Sequence, residues 1–292
     1  MKLLCTGDWH ITNKKPENRV DDYWETAKRK IMFILETARE EEVDFILQPG
    51  DFTDSPSMPW DIFIELKQLF YKFEDINILS IHGQHDLRYR NKGNTVLDAL
   101  EASCSNIRLS WGEPFIYSAS YNEDIPEIRD SKEFNILLIH KMILQEKIWA
   151  GQTEYSDAAN FLRTNPFQLV VSGDNHQGFI CDQKITGKQL FNCGALLRSK
   201  IDQVDHKPFI IIYDTETREY KQIFIPIEPP EKVFNLEKIM KEKEKNENLE
   251  AFVVGLSGHK EIGMKFEDNL DAYMNEINAD PNIRQIIEEA KI

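Results

Sequence analysis

The sequence predicts an α/β protein of two packed sheets, and three observations predict it. Residues 1–81 alternate short apolar runs with amphipathic helical stretches, the rhythm of right-handed βαβ units and a mainly parallel sheet. Residues 106–225 carry more closely spaced apolar runs, which read as a second, more antiparallel sheet packed on the first. Five of these runs stop at Asp, His or Gln residues, at the strand ends where open α/β sheets place ligand sites.

In chain order, residues 2–6 read as a buried strand that delivers Gly7-Asp8-Trp9-His10. Side chains two apart on an extended segment point the same way, so Asp8 and His10 can converge on one ion. A polar loop with Lys14, Lys15 and Arg19 leads to a helix in which Trp24, Ala27, Ile31, Ile34, Leu35 and Ala38 recur at helical spacing. Asp21 is its expected N-cap. The run Phe45-Ile46-Leu47 is a second strand, ended by Pro49-Gly50, and it presents Asp51. A helix follows with Phe63, Leu66, Leu69, Phe70 and Phe73 on one side, then a strand over 77–81 that ends in His82-Gly83-Gln84-His85-Asp86. After a short helix at 96–102, strands are expected at 106–109, 114–118 and 134–139, the last stopping at His140. Residues 141–165 read as an irregular to helical lid or wall. A strand at 168–172 stops at Gly173-Asp174-Asn175-His176, and further strands follow at 178–181, 189–193, 208–213 and 219–225. Pro226, Pro229 and Pro230 break regular structure there. The expected domains are therefore 1–228 and a small appendage at 229–292, with a charged helix over 232–248, a strand over 251–256 and a helix from about 267.

Composition narrows the class. The chain has 292 residues, 41% hydrophobic and 29% charged, ordinary for a globular protein. No apolar run reaches the roughly 18 residues of a membrane span, and the amino-terminal apolar stretch is short for a signal peptide. Four scattered cysteines without a CxxC pair fit a reducing cytoplasm and argue against a thiolate zinc site. A net charge of −15 argues against a generally DNA-coating surface, so any nucleic-acid contact must rest on local basic groups.

The strand-end residues form one constellation. Asp8, His10 and His176 suit one cation, Gln84, His140 and Asp174 a second, with Asp51 lending an oxygen to each. Carboxylates and neutral imidazoles are suitable ligands for Mn²⁺, Fe²⁺ or Zn²⁺. Such a pair of ions clamps a phosphate and activates water for in-line attack. His85, beside a ligand, is placed to protonate the leaving oxygen.

At these residues the chain resembles the calcineurin-like metallophosphoesterases, whose blocks DxH, GD, GNHD, H and GHxH occur in this order over about residues 3–200. A narrower resemblance is to the SbcD-type DNA-repair nucleases and their phage relatives. It rests on GDWH followed by Arg19 and Asp21-Asp22, on VDFILQPGDFTDS with Pro56, and on NCGALLRS at 192–199. The resemblance implies a four-layer αββα sandwich with a small carboxyl-terminal α/β appendage. It also implies two divalent ions, Mn²⁺ first with Mg²⁺ or Fe²⁺ as alternatives, and cleavage of DNA phosphodiesters. The implied partners are DNA and an SbcC-like coiled-coil ATPase, with a homodimer expected by analogy and no membrane. Two departures stand out: Gln84 replaces the family asparagine, and Asp174 replaces the first histidine of GHxH. The extra anion makes the site harder, favouring Mn²⁺ or Mg²⁺ over Zn²⁺.

Other residues carry balanced expectations. Arg88, Arg90 and Lys92 either grip a DNA backbone or form a solvated loop, and Arg198 is a candidate phosphate contact. Asp54 either supports the site from behind or caps a turn. His82 is expected in the core, and His206 and His259 at the surface. Two rival functions stay open: hydrolysis of a small nucleotide or other phosphoester, or a decayed centre kept as a scaffold.

Overall fold

The computed structural model describes residues 1–147, 152–200, 203–238, 240, 274–275 and 279–290. Strand β1 (Lys2–Cys5) lies between β2 (Phe45–Gln48) and β12 (Phe209–Asp214), and the first sheet has the order β13-β12-β1-β2-β3-β4. Here β3 is Ile78–Ser80, β4 is Ile107–Arg108 and β13 is Tyr220–Phe224. Strands β1 to β4 pair in parallel, while β12 and β13 run antiparallel at one edge. The second sheet has the order β10-β11-β9-β6-β5, from Phe179–Gln183, Lys188–Asn192, Leu169–Gly173, Ile136–His140 and Ile116–Ala119.

That second sheet corrects the expectation of an antiparallel half. Strands β5, β6, β9 and β11 are parallel, and only the β10–β11 hairpin is antiparallel. Its connections at 120–135 and 141–168 are long enough for parallel crossovers, which need a dozen residues or more. The hairpin of β12 and β13, read from sequence as part of the second sheet, instead completes the first.

The layering follows from alternation along each strand. In β1, Leu3 and Cys5 join Leu47, Leu79, Ile136, Leu138, Leu169 and Val171 in a core between the two sheets. Leu4, with Ile46, Ile78 and Ile210, faces the other way and packs under α1 (Tyr23–Glu40), α2 (Trp60–Lys72) and α3 (Val96–Ser103). On the far side Leu137, Ile139, Val170 and Leu190 pack against Ala158, Phe161 and Leu162 of α4 (Ala158–Thr164). Helices, sheet, sheet and helix make the expected four-layer αββα sandwich. The lid region resolves into α4 and two short paired strands, β7 (Ile143–Leu144) and β8 (Ser156–Asp157).

Helix starts follow capping chemistry. The N-cap of α1 is Asp22, whose side chain accepts from Glu25 N, not Asp21. Asp21 is drawn away because its carboxylate takes both Nε and Nη2 of Arg19, at 2.8 and 2.6 Å. Thr95 and Asp98 close a capping box on α3, and Asp98 also takes the buried His82 at 3.1 Å.

The chain divides into two compact units, 1–232 and 233–292, with the short helix α5 (Pro230–Val233) at the division. In the second unit, α6 (Pro281–Ala290) is tied by Arg284, which donates to the carbonyls of Met274 and Ala279. The expected strand at 251–256, His259 and most of the 232–248 helix lie outside the described residues. Among the described residues no helix is long and apolar enough to cross a membrane.

Candidate metal centre

Five loops leave the carboxyl ends of β1, β2, β3, β6 and β9 and bring the predicted residues together. After β1, Trp9 turns into the helix-side core against Phe52 and Phe70, while Asp8 and His10 on either side of it reach His176 on the opposite side. The backbone N–H groups of Trp9 and His10 both donate to the Asp51 carbonyl, at 3.0 and 2.8 Å, locking the first two loops together. His10, Asp51 and Asp174 hold left-handed φ of 45°, 47° and 78°. Strained backbone at three non-glycine residues on converging loops is typical of functional sites. Gly83 and Gly173 are there because the loops touch: a Cβ on them would lie 2.1 Å from Asp51 Oδ1 and 2.4 Å from Asp8 Oδ1.

Asp51 sits at the middle. Its Oδ2 is 3.6 Å from His10 Nε2 and 3.6 Å from His140 Nε2. Its Oδ1 accepts from His85 N at 2.9 Å. On one side His10 Nε2 and His176 Nε2 are 3.0 Å apart, and His176 Nε2 is 3.8 Å from Asp8 Oδ2. On the other, His140 Nε2 is 2.6 Å from Gln84 Oε1, and Gln84 Nε2 donates to Asp174 Oδ1 at 3.0 Å. The ligand atoms of Asp8, His10 and His176 lie within 4.8 Å of one another, as do those of His10, Asp51 and His85. All seven candidate ligands therefore converge, with Gln84 between Asp174, to which its amide N–H donates, and His140, whose Nε2 lies against its carbonyl oxygen.

The donor set fits divalent cations. Asp8 Oδ1 and Asp51 Oδ2 are buried acceptors with no hydrogen-bond donor, an arrangement that is costly unless a cation completes it. Burial, then the charges of Asp51 and Asp174, pushes Asp8 well above the usual carboxylate range. Burial and the Asp86 carboxylate push Asp51 up to about 8. Burial, then His10, pushes His176 down to about 3, and burial lowers His140. The pocket thus disfavours anionic carboxylates on their own, which positive ions between them would reverse, and it keeps His140 and His176 neutral, the form of an imidazole that can bind a cation. His140 Nδ1 lies 2.7 Å from the Pro49 carbonyl, so it carries the hydrogen and leaves the Nε2 lone pair facing inward as a ligand.

Behind these groups stands Asp86, whose role the motif alone did not disclose. Its buried carboxylate accepts from the N–H groups of Gly83, Phe52 and Thr53 and from the Thr53 hydroxyl. It pins the Gln84-His85 loop to the Asp51 loop. Asp54 lies between two imidazoles, its Oδ1 3.5 Å from His10 Nδ1 and 3.6 Å from His85 Nδ1. That supports the site from behind. Gln203 and Lys200, unmarked by any motif, line a cavity of about 90 Å³ with His10, His85 and His176. Gln203 Nε2 is 3.4 Å from His176 Nδ1 while its Oε1 takes Ser199 N and Lys200 N. A larger cavity of about 350 Å³ opens beside His140 and Asp174, with Tyr121, Lys141 and Tyr155 on its walls.

The three arginines separate. Arg88 and Arg90 are exposed on the loop after His85. Arg198 is corrected: it is 2% exposed, and its guanidinium donates to the carbonyls of Val204 and Glu228 at 2.9 and 2.6 Å. It belongs to a clamp in which Arg19 donates to the Arg198 carbonyl and Lys30 to the Leu196 carbonyl, each at 2.7 Å. Burial, then Arg198 and Arg19, pushes Lys30 down to about 7. His206, expected at the surface, is half-buried with Nε2 2.7 Å from the Ala195 carbonyl.

Over 112 residues the chain is 30% identical to the DNA double-strand break repair protein Mre11 of Aeropyrum pernix, covering 37% of this chain and 26% of that protein. The chain thus matches a minor part of that relative's length. A dimetal phosphatase from Danio rerio is similar at a TM-score of 0.45 and 10% identity, covering 77% of this chain and 99% of that one. The family model for calcineurin-like phosphoesterases matches residues 1–178, which include β1 to β9 and every candidate ligand. By that match over more than half its length, the chain belongs to the calcineurin-like phosphoesterases, metal-dependent hydrolases that use two divalent ions.

Proposed function

We propose that the chain is a two-metal phosphodiesterase that cleaves DNA, the nuclease subunit of an SbcCD-like repair complex. The observation that carries the two-metal part is Asp51 Oδ2, buried without a donor and equidistant from His10 and His140. Asp8, His10 and His176 would hold one ion, Gln84, His140 and Asp174 the other, and Asp51 would serve both. When bound, two such ions, Mn²⁺ in our reading, supply Lewis acidity at the phosphate and a nucleophile near neutral pH.

The chain's own groups do the rest. His85 Nδ1 is 3.2 Å from the Asp54 carbonyl, which orients the half-exposed ring and leaves Nε2 to exchange a proton with the leaving oxygen. The Asp86 bonds fix the distance between that ring and Asp51. Lys200, beside His176 at the mouth, offers a cation to the phosphate.

The DNA part is supported by the stretch shared with Mre11 and by the exposed Arg88 and Arg90. The 233–292 unit is our candidate for docking a coiled-coil ATPase. A second reading, a phosphodiesterase for small nucleotides, is favoured by the 350 Å³ cavity beside Asp174 and by the net charge of −15. Mn²⁺-dependent cleavage of end-labelled linear DNA, run beside bis-p-nitrophenyl phosphate, separates the two. Loss of DNA cleavage in His85→Ala with metal content retained supports the first; hydrolysis of the small diester alone, even with an ATPase partner added, supports the second.

A further inference from the structure

The turn that follows His85 is built against its own backbone preference. Arg88 and Asn91 exchange both backbone hydrogen bonds, at 3.1 and 2.9 Å, so Tyr89 and Arg90 are the central pair of a two-residue turn. Their φ of 51° and 63° give the type I′ shape, where Asn-Gly or Asp-Gly is usual. A tyrosine followed by an arginine is a costly choice there, since bulky side chains disfavour left-handed backbone. Asn91 Nδ2 closes the tip by donating to the Tyr89 carbonyl at 3.2 Å. The base of the loop is tied on both sides: Asp86 accepts from Gly83 N on one, and Lys92 is bonded to Glu123 at 2.5 Å on the other.

The consequence is a tyrosine that is 91% exposed and flanked by two exposed arginines. Backbone strain of this kind persists where a function retains it. An aromatic ring exposed to water, with an arginine on each side of it in the chain, can offer a stacking face to a base and a cation to the neighbouring phosphates. On a chain of net charge −15 the paired arginines mark the place where a polyanion can approach. A base can reach such a ring only if it is unpaired.

We propose that the Arg88-Tyr89-Arg90 turn is a stacking pin for an unpaired base of single-stranded nucleic acid, gripping the strand whose phosphodiester His85 faces. The proposal rests on the DNA-cleaving reading above. Its test uses the full chain in EDTA with a fluorescent oligothymidylate, an abasic strand of equal length and a blunt hairpin duplex, followed by fluorescence anisotropy. Hydrolysis of bis-p-nitrophenyl phosphate with Mn²⁺ serves as the fold control.

Tyr89→Ala should bind the oligothymidylate about tenfold more weakly, within the range of one lost base stack. Affinity for the abasic strand and the duplex should not change, Tyr89→Phe should match the wild type, and the small diester should be hydrolysed equally by all three. Equal weakening on all three strands, or none on the oligothymidylate, overturns the pin. If linear DNA is still cleaved in that case, the nuclease reading survives. If the wild type neither binds nor cleaves any DNA but hydrolyses the small diester, the nuclease reading fails and the pin falls with it.

Discussion

Gln84 donates through Nε2 to Asp174 Oδ1 at 3.0 Å while its Oε1 lies 2.6 Å from His140 Nε2. These are the two positions at which the sequence departs from the family blocks, and the structure joins them. The extra methylene of Gln84 lets its amide reach across to the carboxylate that replaced an imidazole. One departure supplies the donor that the other, an added anion, requires.

A double-mutant cycle tests that pairing. Gln84→Asn shortens the arm and breaks the bond, and should lower bis-p-nitrophenyl phosphate turnover about tenfold, or ~1.4 kcal/mol. Asp174→His should shift metal preference toward Zn²⁺. The double variant should recover part of the loss, since residues in contact couple by about 0.5–3 kcal/mol. Additive losses together with an unchanged metal preference would remove the idea.

The site was legible where chemistry needs a fixed residue type at a strand end, which is why all seven candidate ligands converge. It was not legible where a side chain answers a neighbour brought near by folding. Asp86 stands inside a motif, yet its bonds to Phe52 and Thr53 depend on how two loops meet. Gln203 sits far along the chain from His176 and carries no motif. Arg198 misled for the opposite reason: charge near a motif suggests phosphate, but here its guanidinium answers backbone carbonyls. In the fold, helices and inner strands followed from periodicity. The direction of the second sheet did not, because connection length permits a parallel crossover without requiring one.

Asp86→Ala should be strongly destabilising. It strands the buried N–H groups of Gly83, Phe52 and Thr53, for a combined loss of about 3–5 kcal/mol. Asp86→Asn keeps an acceptor oxygen and should lose less. Urea unfolding measures both; equal, small losses would show that the two loops do not depend on this carboxylate.

Arg198 and Arg90 should separate stability from DNA contact. Arg198→Met leaves two partly buried carbonyls without their donor and should lower stability by about 1–3 kcal/mol. The salt dependence of DNA affinity should stay as it was. Arg90→Ala should leave the melting temperature within about a degree and reduce the salt slope by about one phosphate contact. An unchanged slope in Arg90→Ala, or a reduced one in Arg198→Met, would reverse these assignments.

The pH dependence of metal stabilisation follows from the same groups. Asp51 titrates near 8 in the folded metal-free chain against 3.8 unfolded, so the folded state binds more protons over that window. Its contribution to stability is therefore lost as pH rises from about 4 to 8. His176 works oppositely: at about 3 folded against 6.5 unfolded, it adds stability as pH rises through that range. Lys30, at about 7 folded against 10.5 unfolded, also adds stability with rising pH, from about 7 upward. The metal-free melting curve mixes these slopes, so its shape alone says little about the site. The difference between melts in Mn²⁺ and in EDTA is cleaner, because Lys30 bonds the Leu196 carbonyl and cancels. Ions must displace the proton that Asp51 otherwise keeps, so binding releases protons and tightens with pH. The rise in melting temperature on adding Mn²⁺ should grow between pH 6.5 and 8, where the histidine contribution is complete and that of Asp51 is not. Asp51→Asn, which has no proton to release, should reduce that growth, leaving the part that Asp8 contributes; an increment that grows as steeply in Asp51→Asn as in the wild type would mean that Asp51 is not a ligand.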